Sequence, residues 1–305
     1  MPSVMEGHST RLSSHTQRPK IEKWEKAIGG ALQEAPTPQI DPNNPAIKRW
    51  NNGLILQTDF ITKDEENAMM EAILNYPSWT GIGKRTTIHF GPHFDYTTFA
   101  TSETDSTPPP KFLTDLLSRL PVQEYLPDQF TVQYYPPGTG IPPHVDTHSA
   151  FREALYSISI GSDVPMSFKE CGEVEARRAR APKRSVTGKP SVPPPPPTKA
   201  QQEEDAKAEA WDLMLPRRSL LIMTGASRYG FTHRIRPRRF DISNGAVVER
   251  TGRFSITMRS IKRGNDIGCD CSFPGVCDAR IREMREQGLI DDDGAFVTTT
   301  IAQDE

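Results

Sequence analysis

The sequence predicts an α+β protein that is mainly β: a β-sandwich or jelly roll with helices to one side. Three observations carry this. Short runs rich in Val, Ile, Thr and aromatic residues recur, Gly and Pro separate them, and a helical stretch precedes them. Order begins near Trp50, and Leu54-Ile55-Leu56 reads as a strand. Thr62 with Glu65 three residues later is a capping-box pair, so a helix starts there and runs to about Asn75. Arg85 to Tyr96 reads as strand, turn, strand; residues 101–110 read as a loop; Lys111 to Leu120 reads as a short Leu-rich helix. Later strands fall at Phe130–Tyr135, Ala154–Ile160, Pro165–Lys169, Ser219–Gly225 and Arg253–Arg259.

Composition divides the chain. Of 305 residues, 28 are Pro and only 35% are apolar, which fits a folded core plus disordered segments. Residues 1–48 form a largely disordered tail. One island in it, Ile21, Trp24, Ile28 and Leu32, has helical spacing and either packs on the domain or contacts a partner. A folded domain is expected over 49–280 and a C-terminal tail over 281–305. At about 171–210 the domain is interrupted by a disordered Pro-rich insertion containing Pro193–Pro197, a spacer or a docking motif. The strands on either side can still pair, because closure entropy grows slowly with loop length. The net charge of -2 leaves nucleic-acid binding to a local patch. No secretory h-region or membrane-length apolar run is present, so a cytoplasmic or nuclear protein with no membrane partner is expected.

The chemistry gathers around His144-Val145-Asp146. Residues two apart on a strand share a face, so both side chains can reach one metal. With a distant second His, here His233, they make the facial triad of non-haem Fe(II) oxygenases. An alternative places His148 on the iron, but it leaves His233 and the cysteines unexplained. Along Arg253–Arg259, Arg253, Ser255, Thr257 and Arg259 share one face. That face is either a solvated edge or an anion cradle, since Arg grips carboxylates with a bidentate fork. A dicarboxylate such as 2-oxoglutarate would chelate iron at one end and meet an Arg at the other.

HxD, a later His and RxxxxxR together resemble the AlkB family of nucleic-acid oxygenases. The strings at 133–151, 215–235 and 269–278 are similar to its AlkB homolog eight branch, which hydroxylates modified wobble uridine in tRNA. The resemblance spans about residues 50–170 and 211–280. It implies a double-stranded β-helix with supporting N-terminal helices, and 2-oxoglutarate held by Arg253 and Arg259. Tyr135 matches a further cosubstrate contact, and Gln133 stands where the family usually has Asn. Arg85, His89, Phe90, Phe94 and Tyr96 would form a lid over the nucleotide.

Cys269, Cys271 and Cys277 offer three thiolates within nine residues, a metal knuckle wanting a fourth ligand for zinc. Cys171 and His148 are the candidates, and His148 is the residue that looks like the family's zinc ligand. Between Met214 and Phe240 lie seven arginines and no acid, either a balanced basic face or a phosphate contact beside the iron. No RNA-recognition module or methyltransferase is seen, so a separate tRNA methyltransferase would supply that activity. The expected function is hydroxylation of a modified nucleoside. Oxidative demethylation of N-alkylated RNA or DNA uses the same centre. Rivals are a protein hydroxylase and a non-catalytic nucleic-acid-binding jelly-roll module.

Overall fold

The computed structural model describes residues 38–41, 43–95, 101–181, 198–243, 245–291 and 294–297. The amphipathic island at 21–32, the proline run and Tyr96 lie outside them. The strands are β1 (Ile47–Arg49), β2 (Leu54–Gln57), β3 (Thr86–Phe94), β4 (Thr101–Thr107), β5 (Gln129–Tyr135), β6 (Ile141–His144), β7 (Leu155–Gly161), β8 (Val164–Glu170), β9 (Ala210–Leu215), β10 (Leu220–Met223), β11 (Phe231–Ile235), β12 (Phe240–Ser243), β13 (Ala246–Glu249) and β14 (Arg253–Arg259). The helices are α1 (Lys63–Leu74), α2 (Lys111–Thr114), α3 (Glu173–Arg180), α4 (Lys199–Asp205), α5 (Gly225–Tyr229) and α6 (Asp278–Glu286). Among the described residues none is long and apolar enough to cross a membrane.

Eight strands form one antiparallel sheet in the order β1-β2-β10-β7-β14-β5-β3-β4, and four form a second, β6-β11-β8-β9. This is the expected mainly-β jelly roll. Strand parity splits the large sheet into two faces. Phe130, Val132 and Tyr134 of β5, Tyr156, Ile158 and Ile160 of β7, and Phe254, Ile256 and Met258 of β14 pack with Met69 and Ile73 of α1 and with Leu113 and Leu116. Burying such side chains contributes roughly 1.5–3 kcal/mol each and fixes the helices on that side. Leu155, Leu221 and Met223 face the other way and meet Val164, Met166, Phe168 and Phe231 of the small sheet. The interleaved residues of that inner face, Thr131, Gln133, Tyr135, Ser157, Ser159, Arg253, Ser255 and Arg259, are polar. The space between the sheets is therefore apolar at one end and hydrophilic at the other.

The Thr62 capping box is present. Glu65 N donates to Thr62 Oγ1 at 3.1 Å, and Thr62 N donates to Glu65 Oε2 at 2.7 Å. Other elements differ from expectation. Arg85–Tyr96 is not a hairpin: β3 runs on through Gly91, whose partner is β4, the stretch read as a loop. Gly91 has φ +86°, and a Cβ there would lie 1.8 Å from the Asp128 carbonyl oxygen, so a close backbone crossing needs Gly. The helix at Lys111 breaks after one turn into a 3-10 turn at Leu117–Arg119.

The insertion is a long excursion between paired strands: β8 and β9 align from Val164↔Leu215 to Lys169↔Ala210. Its ends, read as disordered, are helices. α3 is anchored by a Glu173–Arg180 pair at 2.9 Å and by Arg285 of α6, which donates to the Arg180 carbonyl. The tail read at 281–305 likewise begins inside α6, where Ile281 is buried. Strand β1 moves the domain's first element to Ile47, just inside the tail read at 1–48.

Candidate active site and a neighbouring cysteine cluster

Three structural devices bring His144, Asp146 and His233 together. β6 ends at His144, whose cross-strand partner in β11 is His233. Directly opposed residues have close Cβ atoms, and the two imidazole centroids lie 4.2 Å apart. The register depends on Gly140, where a Cβ would fall 2.1 Å from the Ile235 carbonyl oxygen. Asp146 lies beyond the end of β6, so strand parity with His144 is not what places it. Its Oδ2 lies 3.7 Å from His233 Nε2, and its Oδ1 accepts from Arg259 Nη2 at 2.9 Å. One candidate ligand atom from each of the three residues lies within 4.8 Å of the others.

The electrostatics suit a divalent cation. Burial alone would raise the Asp146 carboxyl, but Arg259, with help from His233 and His144, holds it well below the usual carboxylate range. Burial, then His144, pushes His233 down to about 3, so its ring is neutral. His144 Nδ1 lies 2.9 Å from the Pro142 carbonyl oxygen, which leaves Nε2 for a metal. Two imidazoles and one carboxylate are a facial donor set for Fe(II).

The polar inner face adjoins this cluster. In the β5–β14 pairing Arg253 stands opposite Tyr135, and Ser255 opposite Gln133. The four expected cosubstrate residues therefore share the face, with Arg259 on Asp146 and Arg253 at the far end. Arg253 is 3% exposed and donates to Ser159 Oγ at 3.0 and 3.3 Å. No carboxylate pairs with it among the described residues, and burial pulls it down to about 10. A buried guanidinium that meets a hydroxyl and the Tyr135 ring, but no carboxylate, fits the far carboxylate of a dicarboxylate. Gln133 does not point away: its Oε1 accepts from the Tyr135 hydroxyl.

His148 belongs to a different group. With Cys269, Cys271 and Cys277 it places four candidate ligand atoms within 4.8 Å of one another, and Cys271 Sγ is 3.4 Å from His148 Nδ1. Cys171 is not in this group, and His148 is not in the His–Asp–His group.

One expectation needs correction and one open alternative is decided in part. Phe90 and Phe94 are 2% and 5% exposed and pack on Tyr76 and Phe151, so neither is free to stack a base. The acid-free arginine run is balanced only in part: three of its seven members pair with acids distant in sequence. Arg217 pairs with the buried Glu66 at 2.5 Å, Arg218 with Asp59 at 2.8 Å and Arg236 with Asp212 at 3.7 Å. Arg228 is fully enclosed on backbone carbonyls. Arg234, Arg238 and Arg239 have no ion-pair partner among the described residues. Sequence reasoning missed the roles of Arg228, which nothing local distinguishes from its neighbours, and of Asp278. An acid at the start of a helix directly after Cys277 was a readable signal for the latter.

A jelly roll carrying a two-His, one-carboxylate cluster beside a buried, unmatched Arg defines the non-haem oxygenase class. The family model described as "2OG-Fe(II) oxygenase superfamily" matches residues 78–259, and the chain belongs to that family. It is a 2-oxoglutarate-dependent dioxygenase, and membership implies iron and 2-oxoglutarate. The chain is 35% identical over 254 residues to the tRNA (carboxymethyluridine(34)-5-O)-methyltransferase alkbh8 of Xenopus tropicalis, covering 75% of this chain and 34% of that protein. It is 30% identical over 241 residues to the "Alkylated DNA repair protein ALKBH8 homolog" of Arabidopsis thaliana, covering 75% and 63%. A solved structure of OsALKBH1 aligns with TM-score 0.42 and 16% identity over 70% of this chain and 99% of that one. The chain thus spans about a third of the length of the first of these relatives.

Proposed function

We propose that the chain hydroxylates a modified nucleoside, the wobble uridine of tRNA, with His144, Asp146 and His233 holding Fe(II), Arg253 holding 2-oxoglutarate and Arg259 holding Asp146 beside it. The carrying observation is the shared polar face that runs from Asp146 through Arg259 to the unmatched Arg253. When bound, the iron supplies oxidative chemistry in which dioxygen and 2-oxoglutarate become succinate and carbon dioxide while a substrate C–H gains an oxygen. The chain's own residues do the positioning. Arg253 holds one end of the dicarboxylate, with Tyr135 and Gln133 beside it. Arg259 fixes the Asp146 carboxylate. The apolar end of the inter-sheet space keeps water from the buried histidine.

Two observations support a tRNA substrate. The name of the Xenopus tropicalis relative refers to carboxymethyluridine 34 of tRNA. A cleft of about 240 Å³ is lined by His144 and Asp146 and by the exposed Arg178 of α3, with Glu175 and Asp278 also on its lining. An Arg there suits a phosphate. Replacing it, Arg178→Ala, is expected to weaken tRNA binding and lower the slope of log affinity against log salt by about 1. An unchanged slope would remove Arg178 from the interface. The plant relative's name favours a second reading, repair of alkylated nucleic acid, in which the hydroxylated N-methyl group leaves as formaldehyde. Measuring succinate with tRNA, alkylated DNA or protein extract decides: stimulation by tRNA, and a uridine gaining one oxygen, is the expected result. Formaldehyde release from alkylated DNA supports the second reading.

The cysteine group is proposed as a structural zinc site, tying the segment after β14 to the loop after β6. Four-coordinate Cys3His is a usual zinc donor set. Elemental analysis of Cys269→Ser and Cys271→Ser proteins is expected to show zinc lost together with thermal stability; unchanged zinc content would refute the site.

A further inference from the structure

The loop Asp146-Thr147-His148-Ser149 contains one member of each candidate metal group. It lies outside the sheet, since pairing between β6 and β11 stops at His144↔His233. No strand hydrogen bonds therefore hold the Asp146 backbone. Two side chains take their place. Arg228, 2% exposed, donates from Nη1 to the Asp146 carbonyl at 2.9 Å and from Nη2 to the Thr147 carbonyl at 2.6 Å. Asp278 accepts at Oδ1 from His148 N at 2.7 Å and Ser149 N at 3.1 Å, and at Oδ2 from the Ser149 hydroxyl. An arginine thus takes two successive carbonyls and a carboxylate the next two N–H groups. Charge-assisted bonds of this kind are about twice as strong as neutral ones.

Both clamps are built into the cysteine group. Asp278 directly follows Cys277 and opens α6. Arg228 precedes Tyr229, whose ring meets His148 edge-on, with centroids 4.9 Å apart. We infer that Arg228 and Asp278 are positioning residues that set the aim of the Asp146 carboxylate, and that the cysteine group acts on the iron site through them. The inference rests on reading His144, Asp146 and His233 as the metal site.

The test is anaerobic Fe(II) titration of the purified full chain, followed by the visible charge-transfer band of its complex with Fe(II) and 2-oxoglutarate. Zinc content and thermal melting are measured in parallel. Asp278→Ala is expected to lower Fe(II) affinity about 10–100-fold, the usual range for an outer-shell partner. The band should shift or broaden while zinc content stays unchanged. Asp278→Asn keeps one acceptor oxygen and should recover part of the affinity. Unchanged affinity and band in a folded Asp278→Ala protein overturn the inference. Should that variant not fold, Arg228→Lys, which cannot reach both carbonyls, is measured the same way, and wild-type affinity there overturns it equally. Failure of the wild-type chain to bind Fe(II) at all would instead overturn the reading of the metal site.

Discussion

Replacing Asp146 with Ala is expected to abolish Fe(II) binding and turnover together. The carboxylate is the only anionic donor of the three-residue group, and two imidazoles alone cannot offset the cation's charge. It also accepts from Arg259, so its loss removes one anchor of that guanidinium beside the metal position. Iron affinity should therefore fall by more than the roughly 10–100-fold that follows loss of an outer-shell partner. His144→Ala should behave similarly, because its ring faces His233 across one rung of the ladder. Equilibrium dialysis and succinate release measure both quantities. Full activity in either variant would remove that residue from the site.

Replacing Arg253 with Ala should act on the cosubstrate alone. Its guanidinium is buried at the end of the polar face farthest from Asp146, so it touches neither histidine. Removing one partner of a buried charge pair costs about 2–5 kcal/mol. The KM for 2-oxoglutarate should accordingly rise at least about 30-fold, with Fe(II) affinity in the absence of 2-oxoglutarate unchanged. Arg253→Lys should rescue only part, since an ammonium cannot fork onto a carboxylate. A KM equal to that of the wild type would mean the dicarboxylate is held elsewhere.

The parts of this site that were legible in the sequence are those with short, local patterns. His144 and Asp146 were legible by spacing, and strand parity put Arg253 and Arg259 on one face, which holds because β14 is a regular strand along its length; their assignment to 2-oxoglutarate came from the family resemblance. Parity reached the right grouping for His144 and Asp146 for an incomplete reason: the strand stops between them. What was illegible is what depends on distant partners. Nothing near Arg217 or Arg218 shows that Glu66 and Asp59 will neutralise them, and nothing near Phe90 shows that Tyr76 will cover it. The β12–β13 hairpin had a local signal that was passed over. Its register pairs Ser243 with Ala246, and Gly245 has φ +79°, a positive value that hairpin turns favour; Asn-Gly in the sequence is that signal. The helical ends of the insertion are not legible locally, because α3 is held by α6 and the segment after it, more than a hundred residues later in the chain.

The most direct measurement of the central claim is a crystal structure of the chain grown anaerobically with Fe(II) and 2-oxoglutarate, with anomalous data collected at the iron and zinc absorption edges. The expected result is an iron peak among His144, Asp146 and His233, a dicarboxylate reaching from that peak to Arg253, and a zinc peak among His148, Cys269, Cys271 and Cys277. An iron peak at the cysteines, or 2-oxoglutarate bound away from Arg253, would contradict the account.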